Sequence, residues 1–203
     1  MSNTFFATLA ATLVMMMIQA PSFAADAKPA DPKMQEMMKK MMAAGTPGPE
    51  HKVLADLVGD WTFTAKHWET PAGKPIVSTG TSTFKMILGG RWLQQDIKSE
   101  MMGMPVEGMG LTGYDNIKKK YQSLWFDNMG TGVMIGEGSF DAKSKTLTDG
   151  GKFSCPMTGG DRNYRAEWKL SGKNNFTYSM FGKGLDDTGK EFKQMEITYK
   201  RVK

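Results

Sequence analysis

From Gly59 to the C-terminus the sequence alternates apolar and polar residues, with turn residues interrupting the pattern about every 10–14 residues. The connections are too short to hold a crossover helix, so neighbouring strands must pair antiparallel. The segments favour an all-β fold, an up-and-down barrel of about ten antiparallel strands, because closure leaves no sheet edge unpaired. The alternative is an open sandwich of two sheets. The predicted strands are 60–69, 76–88, 91–101, 106–115, 120–129, 131–141, 145–154, 163–171, 175–183 and 191–201.

The first 24 residues have the pattern of a secretory signal peptide. An apolar run from Phe5 to Ala20 is followed by Pro21-Ser22-Phe23-Ala24, which places small residues suitably for cleavage near Ala24. The alternative is a membrane anchor, but the run is shorter than the roughly 20 residues that a bilayer span needs. We therefore predict a secreted or periplasmic protein with no transmembrane segment after signal removal.

The remaining N-terminal region divides into a predicted flexible linker, 25–33, and a helical segment, 34–58, before the barrel domain, 59–203. Within the helical segment we expect a Met-rich helix at 34–44 and a short helix at 50–58. Thioethers can bind Cu(I) in oxidising compartments, but methionines at helical spacing more simply form an adaptable packing face. The methionines on this face are Met34, Met37, Met38, Met41 and Met42.

Composition and motifs narrow the function classes. A single Cys excludes an internal disulfide and multi-Cys metal sites, and two His exclude a three-His zinc site. The 26 Lys and Arg residues are scattered among 21 Asp and Glu, so no nucleic-acid partner is predicted. The sequence holds no nucleophile elbow, His-Glu-x-x-His motif or phosphate-binding loop. We predict no cofactor and no catalytic residue, and the oligomeric state stays open.

Several segments, spread in order over nearly the whole mature chain, resemble one known family: Thr46–Lys52, Gly59–Trp61, Leu88–Leu93, Gly103–Pro105, Gly110–Asn116, Tyr121–Asp127 and Met195–Tyr199. In these segments the chain is similar to the secreted bacterial proteins of the domain of unknown function 1579 family, a calycin-like group. The resemblance implies a lipocalin-like barrel and a secreted location. It implies no reaction.

The segment Gly59-x-Trp61 points to the closed end of such a barrel. In lipocalin-like barrels a Trp at the start of the first strand closes the bottom, and a basic residue of the last strand often stacks on it. Arg201 lies on the predicted last strand. We therefore expect Gly59, Trp61 and Arg201 to form a structural closure, with Arg91 as the alternative cation.

Alternation also predicts which residues face the interior. Most are apolar, but a few polar residues fall on the same faces, as expected for a ligand cavity with orienting groups. The candidate lining residues are Phe63, His67, Phe84, Gln95, Ile97, Ser123, Trp125, Asp127 and Tyr199.

The leading hypothesis is non-catalytic binding of a small apolar or amphipathic molecule in this cavity. The alternative is a barrel filled with side chains that serves as a structural or interaction scaffold. Lesser alternatives are copper binding by the methionines, haem binding through His67, and a hydrolase-like enzyme with His67 and Asp127 as base and orienting group and Ser123 as nucleophile.

Overall fold

The computed structural model describes residues 31–185 and 189–203, so the predicted signal peptide and most of the predicted linker lie outside the described residues. The chain separates into two compact units, the first ending at Met38 and the second running from Lys39 to Lys203. The barrel and its closed end belong to the second unit.

Two helices precede the barrel, α1 (Pro32–Gly45) and α2 (Pro49–Ala55). α1 begins two residues before the predicted helix, because a proline fits the first helical turn and the Asp31 carboxylate accepts a hydrogen bond from the Lys33 N–H at 2.9 Å. The five methionines of α1 are exposed, from 48% for Met34 to 68% for Met42.

Ten antiparallel strands form a closed barrel in which each strand pairs with its neighbours in sequence and β1 pairs with β10. This confirms the predicted fold class. The strands are β1 (Gly59–His67), β2 (Ile76–Ile87), β3 (Trp92–Met101), β4 (Met104–Asp115), β5 (Lys120–Asp127), β6 (Met134–Asp141), β7 (Thr146–Cys155), β8 (Gly160–Leu170), β9 (Asn175–Gly182) and β10 (Phe192–Arg201).

The β3–β4 connection is tighter than the sequence predicts. Met102 and Gly103 both have positive φ, 53° and 79°, as in the two-residue hairpin turns that match strand twist. β4 therefore begins at Met104, and Met104 and Pro105 lie in a strand that was predicted as turn. Leu88, placed at the end of the predicted strand 76–88, lies instead in the tight turn between β2 and β3, with φ 50°, and is 69% exposed.

An apolar core fills one end of the barrel. Phe176 stacks between Tyr199 and Trp168, with ring centroids 4.2 Å and 5.9 Å away. Leu54 and Leu57, which precede β1, belong to the same buried cluster and cover this end. The packing leaves a gap of only about 10 Å³ beneath the helix, about the volume of a single water probe. We call this the closed end and the opposite end the mouth.

Candidate functional site

Trp61 seals the closed end through contacts with the segment before β1 and with the last strand. Its side chain is 1% exposed, and its indole N–H donates a 2.9 Å hydrogen bond to the Leu57 carbonyl. The Arg201 guanidinium carbon lies 4.1 Å from the ring centroid, within cation–π distance. The β1–β10 register places these two residues directly opposite each other. Gly59 gives the guanidinium its space, because a Cβ there would lie 2.7 Å from Arg201 Nη1.

Arg201 also ties two connecting segments to the barrel through three hydrogen bonds. Its Nε donates to the Lys173 carbonyl at 2.7 Å, its Nη2 donates to the Asp56 carbonyl at 2.7 Å, and its Nη1 donates to the Val58 carbonyl. Asp56 and Val58 belong to the segment between α2 and β1. The arginine therefore holds the covering helix as well as the Trp61 ring.

His51 fixes the start of α2 and is part of the structure of the closed end. Its Nδ1 accepts a 3.0 Å hydrogen bond from the Gly48 N–H, and its ring meets Tyr114 edge-on at 5.9 Å. Burial, opposed by the charge of Glu50, lowers the pKa of His51. A neutral imidazole agrees with an accepting Nδ1.

Above the core the barrel is hollow. A cavity of about 500 Å³, which we call the lumen, runs from Phe63, Gln95 and Tyr199 at its floor to His67 and Asp127 at the mouth. This volume falls within the range of small-molecule sites, about 300–1,000 Å³. The described residues therefore do not form a barrel that is filled throughout by side chains.

The lumen brings together most of the side chains that the sequence proposed for it. Phe84 is the exception: it lies below the floor, 1% exposed, in edge contact with Trp61 and Phe176. Phe84 pairs with Gly59 across β1 and β2, at the level of the aromatic core. Its side chain therefore points inward but packs in the core below the cavity. The proposed residues that line the lumen are Phe63, His67, Gln95, Ile97, Ser123, Trp125, Asp127 and Tyr199.

The floor carries a small polar network. The Gln95 side-chain amide donates to the Tyr199 hydroxyl at 3.0 Å and to the Ser82 hydroxyl at 3.2 Å. Burial raises the pKa of Tyr199, so its hydroxyl keeps its proton. Because the phenol oxygen accepts from Gln95, its O–H remains free to donate to another group.

A second polar cluster lies halfway up the wall, and its carboxyl was missed at the sequence level. The Ser123 hydroxyl and Asp149 Oδ2 are 2.7 Å apart. Asp149 is 7% exposed, and its enclosed Oδ1 has no hydrogen-bond partner among the described residues. Burial, opposed by the Ser123 hydrogen bond, raises the pKa of Asp149. Burial together with the nearby Asp149 raises the pKa of Tyr164 to about 12.

The signal for Asp149 is present in the sequence. Leu147, Asp149, Gly151 and Phe153 alternate along β7, so a carboxyl stands on the face that carries a buried leucine. A face assignment for the seventh strand, which the sequence analysis did not make, would have identified it.

His67 and Asp127 come from distant strands of the barrel. They lie on β1 and β5, four strands apart in the barrel order, and neighbouring strands are about 4.8 Å apart. The Asp127 carboxylate is engaged instead by the Trp125 indole N–H at 2.9 Å and the Met129 backbone N–H at 3.0 Å. Ser123 is bonded to Asp149 rather than to a histidine.

The part of the chain that the structure describes holds neither a cluster of metal ligands nor a membrane-spanning helix. Among residues 31–185 and 189–203, no group of three or more His, Cys, Asp or Glu side chains could hold a metal ion. No described helix has the length and apolar character needed to cross a bilayer. Haem ligation by His67 and copper binding by the α1 methionines stay untested hypotheses.

These features define the class: a closed, ten-stranded antiparallel barrel with a sealed end and an open lumen. The family model described as protein of unknown function (DUF1579) matches residues 46–201, which include α2 and almost the whole barrel. The chain belongs to this family, as its sequence segments indicated.

The chain is also similar to solved structures, and the one with the higher TM-score supports the same fold. The crystal structure of Rv2717c from M. tuberculosis is similar with a TM-score of 0.58 and 13% identity, over 78% of this chain and 100% of that one. A redesigned beta barrel matches with a TM-score of 0.38 and 14% identity, over 74% of this chain and 96% of that one. At these identities the first likeness concerns the fold alone. No curated protein matches the chain.

Proposed function

We propose that this chain is a non-catalytic binding protein that holds a small apolar or amphipathic molecule in its lumen. The observation that carries the proposal is the hollow of about 500 Å³ above a densely packed closed end. Removing apolar ligand surface from water contributes about 25 cal/mol per Å². An apolar body enclosed there would therefore gain affinity without any charged contact.

The lining supports a ligand that is mainly apolar with a few directed polar contacts. Aromatic rings and flexible thioethers line the lumen, and thioethers adapt to irregular shapes. The hydroxyls of Ser123 and Tyr199 are held by the neighbours described above and offer fixed hydrogen-bonding points. The lining methionines are Met101, Met102, Met129, Met134, Met180 and Met195.

Native mass spectrometry of the protein purified without detergent tests this proposal. We expect a small molecule to accompany the folded chain and to be removed by extraction with organic solvent. An extracted chain that also fails to bind any neutral apolar probe would contradict a binding function.

We further propose that the protein acts outside the cytoplasm, as its N-terminal sequence suggests. The support is the apolar run from Phe5 to Ala20 before Ala24, together with the resemblance to secreted proteins. The test is the mass of the protein recovered from the periplasm or medium. We expect the mature chain to begin near Ala25, and Leu13→Lys to retain the precursor in the cytoplasm. Intact precursor in the soluble cytoplasmic fraction of the wild type would contradict export.

A further inference from the structure

The ionisable residues that line the lumen are mainly acidic, whereas the whole chain has more basic than acidic residues. The chain has 26 Lys and Arg against 21 Asp and Glu, a net charge of +5. The lumen, however, is lined by the carboxyls of Glu69, Asp127 and Asp149 and by His67, and no described Lys or Arg lines it. A carboxylate ligand would therefore meet carboxyl groups and find no described Lys or Arg to pair with.

The mouth of the lumen presents an aromatic face beside a carboxylate. The Trp125 indole lies against Gly108 and Gly110 of β4, where a Cβ would come within 2.4 Å and 3.2 Å of its ring. Two glycines thus make room for the ring, which lines the lumen. The indole N–H holds Asp127 Oδ2 at 2.9 Å, which fixes both groups relative to each other.

Asp149 provides a second, independent observation. This carboxyl lines the lumen, is more than nine-tenths buried, and receives no hydrogen bond at Oδ1 from any residue that the structure describes. A buried carboxyl with an empty acceptor position makes a nearby anion unfavourable and a nearby donor or cation favourable. The interior and the mouth therefore favour the same sign of ligand charge.

From these contacts we propose that the lumen selects amphiphiles with an alkylammonium end over those with a carboxylate end, and that Trp125 and Asp127 receive this head group. This inference rests on the proposed binding function and names its ligand class. A cation over an indole face next to a carboxylate gains both cation–π and ion-pair attraction. The apolar tail then fills the lumen, while the head group near the mouth keeps part of its hydration.

The net charge of the protein opposes the proposed preference for a cationic head group. At +5, long-range attraction and nonspecific adsorption favour an anionic amphiphile over a cationic one. A preference for the amine must therefore come from local groups in the lumen and not from the overall charge.

The experiment compares decylamine, decanol and decanoate by calorimetric titration at pH 7.5, below their micellar concentrations, with the extracted full-length mature protein. We expect decylamine to bind about tenfold more tightly than decanoate, with decanol between them. Asp127→Asn keeps the shape of the side chain and an acceptor for Trp125, and should reduce the amine-to-carboxylate affinity ratio about threefold. Trp125→Leu should weaken decylamine more than decanol.

Asp60→Asn is the matched control. It changes the net charge by the same amount, but Asp60 is exposed on β1 and is bonded to Thr83 outside the lumen. The ratio should not change in this variant. Tighter binding of decanoate than of decylamine, or an unchanged ratio in Asp127→Asn, would overturn the proposal even if decanol binds and the binding function stands. A ratio that falls only in Asp149→Asn would overturn the assignment to Trp125 and Asp127. Binding of none of the three would contradict both proposals.

Discussion

The contact between Arg201 and Trp61 should be a measurable part of the stability of the barrel. Trp61 is almost fully buried, and replacing a core Trp by Ala costs about 3–5 kcal/mol. That loss is a large fraction of a typical unfolding free energy of about 5–15 kcal/mol. Trp61→Leu is the gentler variant, because it keeps a large apolar side chain while it removes both the ring that Arg201 contacts and the indole hydrogen bond to Leu57.

Replacing Arg201 should cost more unfolding free energy than the loss of the cation–π contact alone. An exposed cation–π contact contributes about 0.5–1 kcal/mol, but Arg201 also donates to three carbonyls. Hydrogen bonds involving a charged group contribute about 1.5–3 kcal/mol each, and those to exposed carbonyls can be replaced by water. We therefore expect Arg201→Met to lower the unfolding free energy by about 2–3 kcal/mol.

Urea unfolding of Trp61→Leu, Arg201→Met and the double variant provides the assay. Residues in direct contact have interaction energies of about 0.5–3 kcal/mol, so the two losses should fail to add by at least about 0.5 kcal/mol. Arg91→Met is the control, because Arg91 donates to the Leu88 carbonyl rather than contacting Trp61. Additivity within about 0.3 kcal/mol for the Trp61–Arg201 pair would refute the stacked closure.

Three further outcomes are expected. Burial raises the pKa of Asp149, so the folded state holds the proton of this carboxyl more tightly than the unfolded state does. In urea titrations, the unfolding free energy of the wild type relative to Asp149→Asn should therefore fall as the pH rises from about 4 through the raised pKa. An increase of this relative free energy over the same pH range would contradict the prediction. Gly138→Ala should prevent a stable fold, because its Cβ would lie 1.7 Å from the Thr148 carbonyl oxygen, whereas Gly160→Ala, with open space around it, should unfold at nearly the wild-type midpoint. Asn116→Ala should cost about 1 kcal/mol in the same assay, because its amide donates to the Ala44 and Thr46 carbonyls at 2.9 Å and 2.8 Å.

The fold could be predicted from the sequence because two local signals agree along the whole chain. Period-two alternation sets which residues of β1 face inward, and short turns force antiparallel neighbours. The errors occur where local geometry overrides the pattern. At Met102 and Leu88 a positive φ in a tight turn redirects the chain, and nothing in their side chains signals this conformation.

The lumen was harder to predict than the barrel. Alternation tells which side chains point inward, but whether they meet in the middle depends on their height along the barrel axis. Phe84 and Gln95 face inward from paired positions, yet the first joins the aromatic core and only the second reaches the lumen. Closeness across strands is equally invisible in sequence, which is why the Ser123–Asp149 bond, 26 residues apart, was not anticipated.

The most direct test of the central claim is a titration of the neutral fluorescent probe N-phenyl-1-naphthylamine into the extracted wild-type protein, Ala65→Phe and Thr64→Phe. Ala65 lines the lumen, whereas Thr64 is the exposed neighbour on the same strand, so both variants add the same ring but only the first fills the cavity. We predict saturable binding of one probe per wild-type chain, retained in Thr64→Phe and weakened at least about tenfold in Ala65→Phe. Equal probe affinity in all three proteins would place binding outside the lumen, and absence of binding to the wild type would contradict the account.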